Sequence, residues 1–447
     1  MFWNKKKLYG NDGREVFSGD ISTSEGANPN YLCKIVKLEG VSKHQNADKL
    51  QVVNVDFQSV VTGMDAKDGD LYVFFPLESQ INAEFLSATN AFRHKELNAD
   101  KEQAGFFEDN RRVRAVKLRG VKSMGYIVPL HVVEHFTGKY LGNYVGLEFD
   151  TIGDKLMVNK YVIRVKEPRA LRLGKKPKIS RLVKGQVRLH VDTEQLRKNA
   201  FEVNPDDHIT ITYKYHGTSW WVSHALVKRP LNVFEKVIRK IGVKIDELEY
   251  DYVYGSRRVV KNEYETSQKE HYYDVDIWGE IKDELKDFIP KGYTLYGEAV
   301  GYTKSGTFIQ DRYDYGCKPG EKRLYIYRIT FTNEDGVVND LSSSQIHEFC
   351  RNRGLNYVTI FYSGAAKDLF PELDVKNHWH EEFIKKLEKK YLEKDCFQCV
   401  NKVPEEGIVL RKETLFEFKS YKLKSFRFLE LETEMLDKGV EDIESTN

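Results

Sequence analysis

Long apolar runs are missing from this 447-residue chain: nowhere do about 18 apolar residues follow one another, so no segment is suited to cross a bilayer as a helix. The opening Met1-Phe2-Trp3-Asn4-Lys5-Lys6-Lys7 likewise lacks the apolar core of a secretory leader. Cysteine is scarce and odd in number (Cys33, Cys317, Cys350, Cys396, Cys399), which excludes a disulfide framework and fits a reducing compartment. Cys396-Phe397-Gln398-Cys399 follows His378 and His380, which leaves a zinc clip open, although the intervals match no standard zinc spacing. An excess of one charge is lacking too. With 70 Lys and Arg against 68 Asp and Glu, the net charge of +2 carries no information about partners, and only local clusters can. These absences point to a cytoplasmic protein with no membrane contact.

What is present is core-forming material. Hydrophobic residues make up 40% of the chain and aromatics 13%, enough for two or three domains at about 100–200 residues each. Residues 1–29 are polar and read as a loosely held arm. From Tyr31 onward short β-type runs appear, at Leu32–Val36, Leu50–Val55, Ser59–Val61 and Leu71–Phe75, punctuated by Gly40, Asp56, Gly63 and Asp68-Gly69-Asp70. Arg112-Val113-Arg114-Ala115-Val116-Lys117-Leu118 then alternates basic with apolar before Arg119-Gly120 turns the chain. Several short strands within about 100 residues predict a small barrel over 30–150, one wall of which would present Arg112, Arg114, Lys117 and Arg119 to RNA. A merely solvated outer face is the competing reading of those four cations.

Between the barrel and the remainder, a linker is expected at 151–188. Residues 160–188 hold eleven Lys or Arg against the single acid Glu167, and Pro168, Gly174 and Pro177 break regular structure. Such a connector can lie along phosphates, and binding would then be salt-dependent. The main domain follows at 189–447. Its β-type runs (209–213, 220–222, 293–296, 324–331, 407–410) suggest mostly antiparallel strands. Helical spacing is found at 274–288 and 377–394. A basic amphipathic helix is expected within 228–250, its apolar stripe turned to the core. The fold class is therefore α+β.

The main domain is organised around Lys214-Tyr215-His216-Gly217-Thr218-Ser219, which follows the strand-like Ile209–Tyr213. A lysine where a β-run ends, followed at once by glycine and two hydroxyls, lets backbone approach a phosphate while an amine points at it. A nucleophilic lysine must be unprotonated, so nearby positive charge or burial has to support that state. Candidate charge comes much later, in Tyr421-Lys422-Leu423-Lys424-Ser425, whose two lysines share a face. Taken alone, the hexapeptide also suits a surface hairpin turn. Four further pieces stand in order behind it: Gly255-Ser256-Arg257-Arg258, Leu295-Tyr296-Gly297-Glu298-Ala299, Leu324-Tyr325-Ile326-Tyr327-Arg328-Ile329, and Glu405-Glu406-Gly407 with the lysine pair after it.

In this order the motifs resemble those of the covalent ligase and capping-enzyme superfamily of nucleotidyltransferases, an ATP-grasp-like fold. K-x-H-G-T is similar to the first motif of the nick-sealing RNA ligase 2 family. His44-Gln45-Asn46-Ala47-Asp48-Lys49-Leu50 and Arg119-Gly120-Val121-Lys122-Ser123-Met124-Gly125 resemble signatures of tRNA-binding OB domains, with Gln45 where proline is usual. Together with His190–Arg197, they make the chain similar to the Deinococcus-type RNA ligases, which carry an OB module in front. Only 23 residues follow Lys424, too few for a second barrel, so the front module is expected to be the nucleic-acid clamp.

The resemblance implies specific roles. Lys214 attacks the α-phosphate of ATP and carries AMP, His216 assists release of pyrophosphate, and Lys422 and Lys424 grip the α-phosphate. Arg257 (or Arg258) and Glu298 contact the ribose, and Tyr327 stacks on adenine. Tyr213, Gly217, Thr218 and Ser219 line the nucleotide, while Glu298 and Glu406 place Mg2+ or Mn2+. Three positions depart from the family pattern: Tyr213 replaces Glu, Ser219 replaces Asn, and Arg328 replaces Asp. The implied function is an ATP-dependent RNA ligase, acting as a monomer on a nick in RNA or an RNA-containing duplex. The rivals are a GTP-dependent RNA capping guanylyltransferase and a non-catalytic RNA-binding protein with a decayed nucleotide pocket.

Overall fold

A computed structural model describes residues 8–9, 15–16, 20–162, 181–190, 193–257, 259–261, 275–414 and 418–438. The basic stretch at 163–180, most of the first 19 residues and Arg258 lie outside the described residues. The chain divides into two compact units, one of residues 1–162, 194–200 and 429–438, the other of 163–193, 201–428 and 439–447.

In the first unit, a sheet of four antiparallel strands runs in the order Tyr126–Pro129, Leu71–Phe75, Cys33–Lys37, Glu148–Phe149. A second sheet of three pairs Ser42–Lys43, Gln51–Val55 and Gln58–Thr62. The pleat explains how they layer. Val73 and Phe75 pack with Cys33, Ile35, Phe85 and Phe149, whereas Tyr72 and Phe74, on the other face, pack with Leu38, Val53, Val55 and Val60. A strand buried on both sides has no polar face, which is why Leu71-Tyr72-Val73-Phe74-Phe75 reads as one apolar run. Each such side chain contributes roughly 1.5–3 kcal/mol by leaving water. The two signature stretches meet here: His44 Nε2 donates to Leu118 O at 3.0 Å, and Asn46 Nδ2 donates to Arg119 O at 3.0 Å.

The basic wall expected over 112–118 does not form. Only Val116–Leu118 is strand, paired with Val121–Ser123. The Arg112 side chain is fully buried, with Nη1 at 3.1 Å from Glu78 and Nη2 at 2.7 Å from Asp437 and 3.0 Å from Thr433 O. Arg114 reaches Asp437 at 3.3 Å and lies over the Phe106 ring. A guanidinium inside a core persists only where carboxylates and carbonyls meet it, and residues 429–438, in the same unit, supply them. Lys117 and Arg119 keep their places toward the turn, Lys117 half exposed at 3.6 Å from Glu430, Arg119 in a left-handed conformation (φ 44°).

The second unit holds the larger sheets. Six antiparallel strands run Val260–Lys261, Leu248–Gly255, Thr218–Lys228, Tyr293–Gly301, Lys322–Thr332, Val338–Asp340. Helices Ile277–Leu285 and Ser343–Arg353 join Trp220, Val222, Leu295, Ile326 and Ile329 in a core on one face. Both start on side-chain caps: Asp276 accepts from Gly279 N–H, and Ser342 with Gln345 makes a capping box. A second sheet in this unit runs Phe418–Lys424, Gly407–Glu413, His208–Lys214, Ile360–Ala365. The helical spacing in 377–394 becomes helix Trp379–Tyr391, burying Trp379, Phe383, Ile384, Leu387 and Tyr391.

The helix expected within 228–250 is confined to Val233–Lys240, and its apolar stripe is not core: Val233, Phe234 and Ile241 are 78%, 72% and 74% exposed. It stands on an Asn232–Glu235 capping box and on ion pairs Arg229–Glu235 and Arg239–Glu247. Local bonds are enough to hold eight residues of helix in place, so periodicity alone misread its surroundings.

Candidate active site

Three neighbouring strands build the lysine face. Lys214 lies opposite Gly407, and Gly407 lies opposite Lys424; one pleat further along, Thr212, Val409 and Lys422 are in register. Residues directly opposite in an antiparallel ladder share a face, so Lys214, Lys422 and Lys424 project from the same side although more than 200 residues separate them. Gly407 leaves the space between the two ladder ends clear. Its φ is 150°, and a Cβ there would stand 2.2 Å from Leu423 O.

Glu406 comes next to that gap and is 2% exposed. Its Oε1 accepts from Lys214 Nζ at 2.7 Å, with Lys424 Nζ at 3.8 Å from the same oxygen. Its Oε2 is buried with no hydrogen-bond partner among the described residues. A carboxylate with one oxygen shared by two ammonium groups and the other unsatisfied is a donor set suited to a hard cation. Glu405 points elsewhere. Wholly buried and, among the described residues, without a hydrogen-bond partner for either oxygen, it is pushed up to about 7 by burial, opposed by Lys394.

The turn after Lys214 is held by Glu298. Ser219 lies opposite Glu298 across the Thr218–Lys228 and Tyr293–Gly301 strands. Gly217 N–H donates to Glu298 Oε1 at 3.1 Å and Ser219 Oγ–H to Oε2 at 3.2 Å. Gly217 approaches the next strand so closely that a Cβ would fall 2.2 Å from Ala299 O. Of the two carboxylates expected to place a metal, Glu298 thus holds the loop, and Glu406 is the one beside the lysines. Among the described residues no three of His, Cys, Asp and Glu gather as a metal cluster. His380 packs on Phe201 and Trp379, so the Cys396/Cys399 pair is not completed into a zinc clip by it.

Tyr327 sits at a β-bulge. Tyr296 pairs with Arg328 and Gly297 with Ile326, leaving Tyr327 as the extra residue, a device that re-aims a side chain. Its ring is edge-on to His190 at 5.3 Å. Tyr325, two residues earlier, is already stacked on Tyr215 at 4.0 Å and 17°. Arg328, where the family pattern has an acid, is buried in an ion pair with Asp340 at 2.5 Å. Arg257 lies within a turn in which Ser256 N–H donates to Val259 O and Ser256 O accepts from Trp221 Nε1–H.

Two expected contacts need correction or refinement. Tyr213 was read as lining the nucleotide, but strand alternation turns its side chain to the face opposite Lys214. There it is buried against Tyr215, Phe361 and Phe397, with its hydroxyl 3.1 Å from Cys396 Sγ. His216 is wedged edge-on between Tyr313 and Phe428, both at 4.8 Å, with its backbone N–H donating to Tyr315 Oη at 2.7 Å. Residues 313–315, which the sequence reading passed over, thus form part of this wall. Tyr313 and Tyr315 are buried aromatic residues in a stretch of turns, so no periodicity announced them.

Residues 207–426 match the RNA ligase family model, and residues 32–130 match an OB-fold domain model. No curated protein sequence matches the chain. Among solved structures, the fold is similar to a lysine-to-methionine mutant of the Naegleria gruberi RNA ligase with AMP and Mn (TM-score 0.54, 16% identity, covering 90% of this chain and 98% of that one). It is similar to the same ligase with PPi (TM-score 0.55, 15% identity, 90% and 99%). It is also similar to a lysine-to-alanine mutant with ATP and Mn (TM-score 0.54, 16% identity, 90% and 98%). The chain thus joins residues 32–130, which match an OB-fold domain model, to residues 207–426, which match the RNA ligase family model, in a fold similar to that of solved RNA ligases.

Proposed function

We propose that the protein is an ATP-dependent RNA ligase of the nick-sealing RNA ligase 2 kind, of the Deinococcus-type group. It joins a 3′-hydroxyl to a 5′-phosphate in duplex or structured RNA or an RNA/DNA hybrid. The observation that carries this reading is the shared Glu406 oxygen, which gathers Lys214 and Lys424 on one sheet face inside the segment that matches the RNA ligase family.

In this reading Lys214 Nζ, having lost a proton, attacks the α-phosphorus of ATP; an N–P bond forms and the bond to pyrophosphate breaks. AMP then passes to the 5′-phosphate of the nick, and the 3′-hydroxyl attacks that phosphate and expels AMP. Lys422 and Lys424 neutralise charge growing on the transferred phosphoryl group, Arg257 holds the ribose, and Tyr327 covers adenine. Gly217, Thr218 and Ser219 let the nucleotide approach, with Glu298 fixing the turn, and His216 attends the departing pyrophosphate. Glu406, with its unsatisfied buried oxygen, would hold Mg2+ or Mn2+, which supplies charge neutralisation on the phosphates. The solved Naegleria ligase with ATP and Mn supports that choice of cofactors. Lys117 and Arg119 are the remaining candidates for RNA contact on the OB-fold domain, and a cytoplasmic monomer belongs to the same reading.

Intact mass after incubation with ATP and magnesium tests it. Wild type is expected to gain one AMP, and Lys214→Ala none while retaining RNA affinity. A gain from GTP alone makes the protein a capping enzyme instead. No gain from either leaves only binding.

A further inference from the structure

The Cys396-Phe397-Gln398-Cys399 turn is left unused by the proposed chemistry, yet it grips both neighbours of Lys214. Cys396 Sγ lies 3.1 Å from Tyr213 Oη, and Gln398 Nε2 donates to Tyr215 Oη at 2.9 Å. The turn is closed at its base by the Asp395–Pro404 bridge and by Cys396 N–H donating to Val403 O at 2.8 Å. Asp314 pins its far side, accepting from Val400 N–H at 2.9 Å and Asn401 N–H at 2.8 Å. Both thiols are free, Cys396 buried and Cys399 half-buried, and Phe397 and Val400 beside them are 59% and 83% exposed.

The two thiols lie on the same turn, and each shifts the other's ionisation. Cys396 also receives the Tyr213 hydroxyl and the backbone N–H groups of Gln398 and Cys399, and together these hold its thiol down to about 6 against the opposing effect of burial. A cysteine pair with two residues between them, one thiol hydrogen-bonded to the Tyr213 hydroxyl and the turn edged by an open loop face, has the features of a dithiol rather than of two structural thiols.

We propose that Cys396 and Cys399 close to a disulfide when a low-molecular-weight disulfide oxidises them, and that closure loosens the hold on Tyr213 and Tyr215 and slows chemistry at Lys214. The Cys396 thiolate attacks the incoming disulfide, expelling one thiolate. Cys399 then loses its proton to solvent and attacks Cys396 Sγ, expelling the second thiolate. Two thiol protons and two electrons leave the protein, and one disulfide outside becomes two thiols. The closed bond takes Cys396 Sγ away from the Tyr213 hydroxyl and tightens the turn that carries Gln398. The residues on either side of Lys214 thereby lose their anchors. This second half rests on Lys214 being the amine that accepts AMP; the disulfide itself does not.

The test is incubation of the full chain with oxidised glutathione, followed by peptide mass mapping and by transfer of labelled AMP before and after reduction. The expected result is loss of two hydrogens in the peptide spanning 396–399, with Cys33, Cys317 and Cys350 still reduced. AMP transfer should slow about tenfold, with recovery in dithiothreitol. Free thiols at both positions, or glutathione persisting on either, overturns the disulfide. A disulfide that leaves the transfer rate unchanged overturns the coupling. C396S/C399S should be insensitive to glutathione, and Tyr213→Phe, which keeps the ring, should show part of the slowing without oxidant. A wild type that never accepts AMP fails the ligase reading, while the mass map still decides the disulfide.

Discussion

Both units bring cations to carboxylates, and they do so to opposite ends. In the first, buried Arg112 meets Glu78, Asp437 and the Thr433 carbonyl, a set that engages both terminal nitrogens of the guanidinium. In the second, Lys214 and Lys424 converge on one oxygen of Glu406 while its other oxygen, although buried, is unsatisfied. A network whose carboxylates already hold their cation is structural: removing a member leaves charge stranded. An open one retains unmet hydrogen-bonding capacity, which a metal ion or a phosphate can satisfy. Counting basic residues would have ranked the arginine-rich stretch first. What separates the two is whether the acceptors are already taken.

The sharpest way to break the comparison is Lys214→Met, expected to lower AMP acceptance by more than about a thousandfold while leaving the melting temperature near wild type. Loss of fold instead would make Lys214 a structural cation like Arg112. Next is Arg112→Met, expected to lose about 3–5 kcal/mol in denaturant unfolding of the first unit because Glu78 and Asp437 are left without their partner. If stability is unchanged, the network is not closed. Glu405→Gln tests a buried carboxylate with neither partner nor open ligand site. Burial raises its folded value from 4.5 to about 7, so the folded form holds the proton more tightly. Wild-type stability should therefore fall as pH rises from about 4.5 to about 7, and the amide should remove that fall. At pH 8 the variant gains about 2–4 kcal/mol, and at pH 4 almost nothing, as thermal melts across pH would report. The smallest effect belongs to Lys117→Ala with Arg119→Ala. RNA affinity should drop a few-fold, and the slope of log affinity against log salt should shrink by about 1–2, as each phosphate contact is lost.

Much of the site could be read from order along the chain. Lys214, Glu298, Glu406, Lys422 and Lys424 were named because their residue types recur in a set sequence of motifs, and strand register does bring the three lysines to one face. The β-runs at 32–36, 50–55, 59–61 and 71–75 correspond to strands because short runs of β-branched and aromatic residues bounded by turn residues leave their mark on composition, whether one face is buried or, as at 71–75, both. Other readings failed where a pattern is ambiguous between environments. Alternation over 112–118 fits a solvent-facing edge and a buried ion pair equally well, and only the acceptors at 433 and 437 tell them apart. The helix Val233–Lys240 carries the stripe of a core helix and buries none of it. Tyr213 belongs to the first motif by position, yet pleating sends it away from the face that carries Lys214.

The sequence by itself determined the α+β class and the succession of an OB-type module and a ligase-type domain, because these depend on local periodicity and on residue types in order. Tertiary structure alone decided which cations are sealed and which are available. It also decided that Glu298 braces a turn while Glu406 keeps an unsatisfied oxygen, and that a cysteine pair reaches both neighbours of Lys214. Those distinctions depend on partners contributed from distant parts of the chain, and a partner's distance in space is not written in the spacing of residues.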